Sequence, residues 1–191
     1  TSECEEPSLC DEEIEVELWG ECYNIEETTE IDLTNSGLTG EIPSEIGNLT
    51  SLRHLDLGYN QLSGEIPSEI GNLTNLNYLY LYSNNLTGHI PSSIGNLLDL
   101  THFSLSYNQL TGQIPSSLGN LTDLNWFYLR DNQLSGDIPI EICSLVNLNG
   151  MNFDISNNHF CPPYPECGEG QGPITSEEEQ DTSECEEPSL C

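Results

Sequence analysis

Cysteines are the residues of this 191-residue chain best equipped to form bonds, and there are eight: Cys4, Cys10, Cys22, Cys143, Cys161, Cys167, Cys185 and Cys191. All lie outside the stretch from Ser36 to Asn132. An even count gathered toward both ends, with neither a Cys-x-x-Cys spacing nor a histidine-rich ligand pair, reads as disulfide caps rather than a metal site. Disulfides imply an oxidising, secretory route, so the protein is expected to be extracellular, secreted or held at a cell surface. Four sequons agree: Asn48-Leu49-Thr50, Asn72-Leu73-Thr74, Asn85-Leu86-Thr87 and Asn120-Leu121-Thr122. Each asparagine is a candidate for an N-linked glycan.

Side chains that could move protons are sparse. Asp32 and Asp56 stand 24 residues apart, at a spacing that would allow a general acid and a general base. His54 and His102 share a phase two repeats apart and read as isolated, solvated histidines. No His-Glu-x-x-His, Gly-x-Ser-x-Gly or phosphate-binding loop accompanies them. Gly168-Glu169-Gly170-Gln171-Gly172 has no strand before it or helix after it and reads as a flexible linker. The acidic ends could gather Ca²⁺, yet no Asp-x-Asp-x-Asp-Gly loop supports a site. The expectation is no enzyme, no catalytic residue, no metal and no cofactor beyond glycans.

Thirty-three Asp and Glu face only Arg53 and Arg130, for a formal net charge of −31. Binding to phosphates releases counterions only where Lys and Arg are supplied, and acid repels an anionic leaflet, so nucleic acid and anionic membrane are poor partners, and neither nucleic-acid binding nor membrane insertion is expected. No apolar run approaches the roughly 20 residues that span a bilayer. The chain opens on acidic residues rather than a basic, apolar leader, which suggests a soluble piece, mature or internal to something longer. Of the 33 acids, 12 lie in residues 1–30 and nine in residues 166–191, so the middle is nearly ordinary.

What must position these groups is a repeat. Ser36, Asn60, Asn84, Asn108 and Asn132 recur at a lag of 24, and a period of that length means a solenoid. In the unit from Leu52 to Leu73, the alternation Leu55, Leu57 marks a short strand buried on one side. Gly64 then permits positive φ, and Pro67, lacking a backbone donor, cannot join an interior ladder. Ile70 and Leu73 pack the return leg. No unit can bury its own apolar face, so stacking supplies the core. The asparagine amide can both donate and accept, satisfying backbone groups where the chain leaves the strand.

The pattern Leu-x-x-Leu-x-Leu-x-x-Asn-x-Leu-x-Gly-x-Ile-Pro-x-x-Ile/Leu-Gly-x-Leu resembles the plant-type leucine-rich repeat over about Thr28 to Cys167. Five units carry its Gly-x-Ile-Pro, at Gly40, Gly64, Gly88, Gly112 and Gly136. The resemblance implies an α/β-type, right-handed solenoid of short parallel strands with a 3-10 or irregular convex side and disulfide caps, used for recognition or scaffolding outside the cell. Trp19-Gly20-Glu21-Cys22 resembles the family's N-terminal cap, with Cys10 or Cys4 bonded to Cys22. Cys161 to Cys167 resembles a C-terminal cap closed by a bond between those two. Two departures stand out: Cys143 takes a glycine position, and Asn158 follows Asn132 by 26 residues.

The repeat phase assigns a concave surface to His54, Tyr59, Tyr78, Tyr80, Tyr82, His102, Tyr107, Trp126, Tyr128 and Arg130. Tyrosine and tryptophan give large contact area at little entropic cost and stack on sugars, which favours a binding or packing face.

One more pattern bears on function: Thr1 to Cys10 recurs letter for letter at Thr182 to Cys191, 181 residues on. A chain that begins its own sequence again where it ends reads as one period of a tandem array. The expected division is an acidic cap at 1–27, repeats at 28–150, last strand and cap at 151–167, an acidic Gly/Pro linker at 168–181 and the next module's start at 182–191. The leading expectation is a structural module of a secreted, glycosylated fibre or filament, partnered by copies of itself end to end and by glycans. The competing one is a monomeric recognition protein that binds a peptide, polysaccharide or protein on its aromatic face.

Overall fold

The structure, a computed structural model, describes residues 10, 11, 13–146, 152–167, 179–183 and 185. Cys4, Cys191, the Gly168–Gly172 run and most of both decapeptide copies lie outside the described residues.

The chain enters through an antiparallel hairpin of β1 (Glu15–Leu18) and β2 (Glu21–Asn24), in which Leu18 faces Glu21. The two-residue turn places Trp19 and Gly20 at φ +50° and +85°, as a tight hairpin of right-handed twist requires. Alternation along β1 buries Val16 and Leu18 over the first repeat and leaves Glu17 in water.

Each repeat then gives one strand to each of two edges. The first strands are β3 (Glu30–Asp32), β5 (His54–Asp56), β7 (Tyr78–Tyr80), β9 (His102–Ser104), β11 (Trp126–Tyr128) and β13 (Asn152–Asp154), and the second are β4 (Thr39–Gly40), β6 (Gln61–Glu65), β8 (Asn85–Thr87), β10 (Thr111–Gly112), β12 (Gln133–Gly136) and β14 (His159–Phe160). The first set forms one six-stranded parallel sheet in chain order; the second forms β4-β6-β8 and β10-β12-β14, also parallel. The convex side carries 3-10 turns at Ser44–Asn48, Ser68–Asn72, Ser92–Asn96, Ser116–Asn120 and Ile140–Ile142, the last running into α1 (Cys143–Val146). Proline precedes every one of these turns, its fixed φ near −62° in extended backbone ending the strand leg.

Between the edges runs one core. Leu52, Leu55, Leu57, Leu62, Ile70 and Leu73 of a single unit are fully buried, as are their counterparts through Leu145, while Phe153 in the last unit is only partly buried. At about 1.5–3 kcal/mol for each fully buried aliphatic side chain, this stacking is the main stabilising term.

The asparagine column does the polar work. Asn84 Oδ1 accepts from Leu62 N at 3.0 Å in the preceding unit, and its Nδ2 donates to Leu57 O at 2.9 Å in that unit and to Leu81 O at 3.2 Å in its own. Asn60, Asn108, Asn132 and Asn158 repeat the arrangement. Immediately before each lies a residue at positive φ, Asn35, Tyr59, Ser83, Tyr107, Asp131 and Asn157, the first of them paired with Ser36. Their amides donate to the next unit's backbone, Tyr59 to Tyr82 O and Tyr107 to Arg130 O.

A second column explains a departure in the sequence. A Cβ placed on Gly47, Gly71, Gly95 or Gly119 would lie 2.5–2.6 Å from the carbonyl oxygen of Glu69, Ser93, Ser117 or Glu141 in the next rung, so only glycine fits. Cys143 is the following member of that series. Among the described residues no further 3-10 turn stacks on that of its own unit, so a side chain is tolerated there, and its sulfur bonds Cys167.

The bond expected between Cys161 and Cys167 is therefore corrected. Cys167 joins Cys143, and Cys161 joins Cys185. Three prolines between Cys161 and Cys167 carry the chain from the end of β14 to the convex side, with Tyr164 Oη donating to Phe160 O at 3.0 Å on the way. This separates the two sulfurs. At the other end Cys10 bonds Cys22.

Candidate functional site

Parallel pairing in register stacks like positions into columns. His54, Tyr78, His102, Trp126 and Asn152 form one, and Asp56, Tyr80, Ser104, Tyr128 and Asp154 the next on that face. Because neighbouring strands lie about 4.8 Å apart, aromatic side chains in a column must touch. The His54 ring lies 5.2 Å from Tyr78, Tyr78 lies 4.7 Å from His102, and His102 lies 4.6 Å from Trp126. Tyr59 meets Tyr82 edge-on at 5.1 Å. The histidines are thus not isolated and solvated, which corrects the sequence expectation: Tyr78 stands between them. Burial under these rings holds the His102 imidazole below its ordinary range, while Thr101 Oγ1 lies 2.9 Å from its Nδ1. Burial, reinforced by Asp56, pushes the Tyr80 phenol up to about 12, and it raises Tyr82 likewise.

Small residues in one unit make a cavity of about 620 Å³ in this face. Where neighbouring units present Tyr80 and Tyr82 on one side and Tyr128 and Arg130 on the other, the intervening unit presents Ser104 and Ser106, both buried. The serines form a floor between aromatic walls, with Tyr107 and Trp126 at the rim and Asp154 beyond. Ser106 Oγ is buried and has no hydrogen-bond partner among the described residues. Arg130 is held in place: its Nε donates to Asp131 at 2.8 Å, its Nη1 reaches Asp154 at 3.4 Å, and its guanidinium lies 5.0 Å from the centre of the Tyr107 ring. The cavity can take an uncharged group with a flat face and a hydroxyl or amide edge.

The candidate acid–base pair is committed to the fold. Asp32 Oδ1 accepts from the amide and hydroxyl of Thr34, which lowers its pKa, and Asp56 Oδ1 accepts from Gly58 N at 2.8 Å. Asp154 does the same for Ser156. These carboxylates close the turn after each strand. Cys10, Glu15 and Cys22 come together, but the two sulfurs are bonded to each other and are not available as thiolate ligands.

All four sequon asparagines are exposed. Asn48, Asn72 and Asn120 end the 3-10 turns, and Asn85 begins β8. Asn96 occupies the same place without a sequon because Leu98 stands where threonine would.

A second locus lies at the C-terminal end, and sequence reasoning missed it. Asn157 N donates to Glu179 O at 2.6 Å, the bond its positive-φ counterparts give to the next unit. Gln180, 7% exposed, donates from Nε2 to Ile155 O at 3.2 Å, as Asn158 does to Leu129 O. The segment 179–181, expected to be solvated linker, instead supplies the polar columns with one further rung. Cys185 then bonds Cys161. No helix of the described residues is long and apolar enough to cross a membrane.

Comparison with known proteins places this geometry. Residues 31–161 match the family model for a leucine-rich repeat region. The leucine-rich-repeat ectodomain of the Arabidopsis thaliana membrane receptor kinase GASSHO1/SCHENGEN3, solved in complex with CASPARIAN STRIP INTEGRITY FACTOR 2, is 35% identical over 71% of this chain and 16% of its own, with a TM-score of 0.68. The BIR2 ectodomain of the same plant is 34% identical over 69% of this chain and 68% of its own, with a TM-score of 0.59. A plant ice-binding protein is 36% identical over 64% of this chain and 39% of its own, also at 0.59. The chain thus spans about a sixth of the first of these proteins. Curated proteins give no sequence match. With the repeat columns and the family model in agreement, the chain belongs to the plant-type leucine-rich repeat proteins.

Proposed function

We propose that this chain is a structural module of a secreted, N-glycosylated extracellular fibre built from tandem leucine-rich-repeat solenoids. One observation carries the reading: the decapeptide at 1–10 recurs at 182–191, and the described cysteine of its second copy is bonded into the solenoid's cap through Cys161. The segment that opens a following module is thereby part of the preceding module's end. On this reading 1–27 and 151–167 are caps around repeats 28–150, 168–181 is the joint and 182–191 begins the next module. Glycans on Asn48, Asn72, Asn85 and Asn120, with the net charge of −31, keep neighbouring fibres apart. The fold class and the commitment of Asp32 and Asp56 to turns support a non-enzymatic role.

Negative-stain electron microscopy of native material, with mass taken before and after reduction, tests this. Filaments with a regular axial repeat and masses stepping by one 181-residue period plus glycan are expected. Single curved particles of one module's mass would overturn it.

The cavity floored by Ser104 and Ser106 favours a second reading, recognition of a peptide, polysaccharide or protein on the concave face. The receptor ectodomain solved with CASPARIAN STRIP INTEGRITY FACTOR 2 supports it by analogy of fold. Filling the cavity with Ser104→Tyr would abolish such binding while leaving filament assembly intact.

A further inference from the structure

The six described cysteines form three bonds with one another: Cys10–Cys22, Cys143–Cys167 and Cys161–Cys185. Each occupies a different part of the array. Cys143–Cys167 closes the C-terminal cap on itself. Cys10–Cys22 ties the second cysteine of the first decapeptide to strand β2 of the hairpin that follows it. Cys161–Cys185 ties the first cysteine of the second decapeptide to the cap that precedes it. The same ten residues are thus seen making a forward bond in one copy and a backward bond in the other.

Superposing the two copies by sequence makes Cys185 the equivalent of Cys4, and Cys191 the equivalent of Cys10. We propose that Thr-Ser-Glu-Cys-Glu-Glu-Pro-Ser-Leu-Cys is a two-headed disulfide clip: at every module boundary its first cysteine bonds the preceding solenoid's Cys161 and its second bonds the following solenoid's Cys22. The proposal rests on the tandem-fibre reading and specifies how its joints are closed. It accounts for every cysteine of a 181-residue period: Cys4 bonds backward across the boundary, Cys10 and Cys22 bond within the period, Cys143 and Cys167 bond within the cap, and Cys161 bonds forward. None of the six is left over.

Three features beyond the sulfurs support the backward head. Glu179 and Gln180 take the backbone and amide places of a next rung, so the clip is delivered to Cys161 already in register. Asp181 N donates to Asn158 O at 2.7 Å, and Asp181 Oδ2 lies 3.7 Å from His159 Nδ1. Cys185 N donates to Thr182 O in a tight turn that fixes where the sulfur emerges. The two cysteines of a clip stand six positions apart, with five residues between them. At 3.3–3.6 Å per residue, their Cα atoms, and with them the two anchored modules, stay within about 20 Å.

Closure is an oxidation and needs a partner. The thiolate of the clip's first cysteine attacks one sulfur of an oxidised dithiol of the secretory pathway, forming a mixed disulfide and expelling one thiolate. The Cys161 thiolate then displaces the second, so two thiols of the protein become one disulfide and the oxidant leaves as a dithiol.

The test uses a secreted chain of two consecutive periods ending in a third decapeptide. Free thiols are alkylated in denaturant without reduction, and the chain is cut after Glu and Asp. Glu5 and Glu6 lie between the clip's cysteines, Glu166 between Cys161 and Cys167, and Asp154 between Cys143 and Cys161, so each cysteine leaves on its own peptide. The internal decapeptide should yield its first cysteine joined to the first period's Cys161 peptide and its second joined to the second period's Cys22 peptide, with alkyl groups only on the outermost Cys4 and Cys191 equivalents. A bond between the two cysteines of the internal decapeptide, or between Cys161 and Cys167, overturns the clip. Microscopy of the same material decides the fibre separately: filaments with a Cys161–Cys167 bond would refute the clip alone, and single particles with the stated pairs would refute the fibre alone.

Discussion

Two regions of this solenoid meet the same demand by different means. In the interior, each strand's unpaired edge is met by a copy of itself, and Asn84, Asn108 and Asn132 hand backbone groups from unit to unit. At the C-terminal end, among the described residues, no further repeat is stacked on the unit of Asn158. There the edge is met by Glu179–Asp181, a short non-repetitive segment, with glutamine in the asparagine place and a disulfide to hold it. Repetition thus makes the interior strong by identity of parts. The end is held by a few contacts and a covalent bond, because one rung cannot bury an apolar face of its own.

The largest expected effect tests the interior. Asn108→Ala leaves Leu86 N and the carbonyls of Leu81 and Leu105 buried without their partner, and should cost about 3 kcal/mol or more, read from urea denaturation. Gly95→Ala comes next. Its Cβ would lie 2.5 Å from Ser117 O, and the shift needed should cost about 2 kcal/mol in the same assay. The end should respond less: Gln180→Ala removes one buried donor and should cost about 1 kcal/mol, with faster amide exchange confined to residues 155–160. If Gln180→Ala proved as costly as Asn108→Ala, the contrast between the regions would fall.

Acid should separate them by pH rather than by size. His102 has its pKa lowered by burial, so the unfolded chain binds the proton more readily. The stability it protects is full above the ordinary imidazole value of about 6.5 and is lost as pH falls through the folded value. At the end, Asp181 is lowered first by its hydrogen bonds from Ser183 and also by His159, so its contribution is present above the ordinary carboxylate range and fades only in stronger acid. Chemical-shift titration should show the His102 ring changing at higher pH than the Asp181 carboxyl, both effects small. The reverse order would break the assignment.

The interior was legible in the sequence because every unit restates it. The lag of 24 gave strands, turns, the asparagine column and the aromatic face directly. The cavity was less legible, since Ser104 and Ser106 matter only as gaps between larger neighbours; the signal was a serine where the flanking units carry tyrosine. The end was misread. Cys161 and Cys167 are near in sequence, but proline-directed chain travel separates them, and nothing local marks Gln180 as the stand-in for an asparagine column. Those contacts join residues more than 20 apart, and the far partner of each belongs to no repeat.

The Cys161–Cys185 bond has a mechanical consequence. Tension applied beyond residue 185 enters the solenoid at Cys161 through sulfur, so the intervening backbone lies outside the load path. A protease cut between 168 and 178 would leave the two sides covalently joined. Reduction of that one bond would release the stretch from Cys167 to Cys185, about 60 Å of extension per module, before the load reached the Cys143–Cys167 bond and any repeat had to yield.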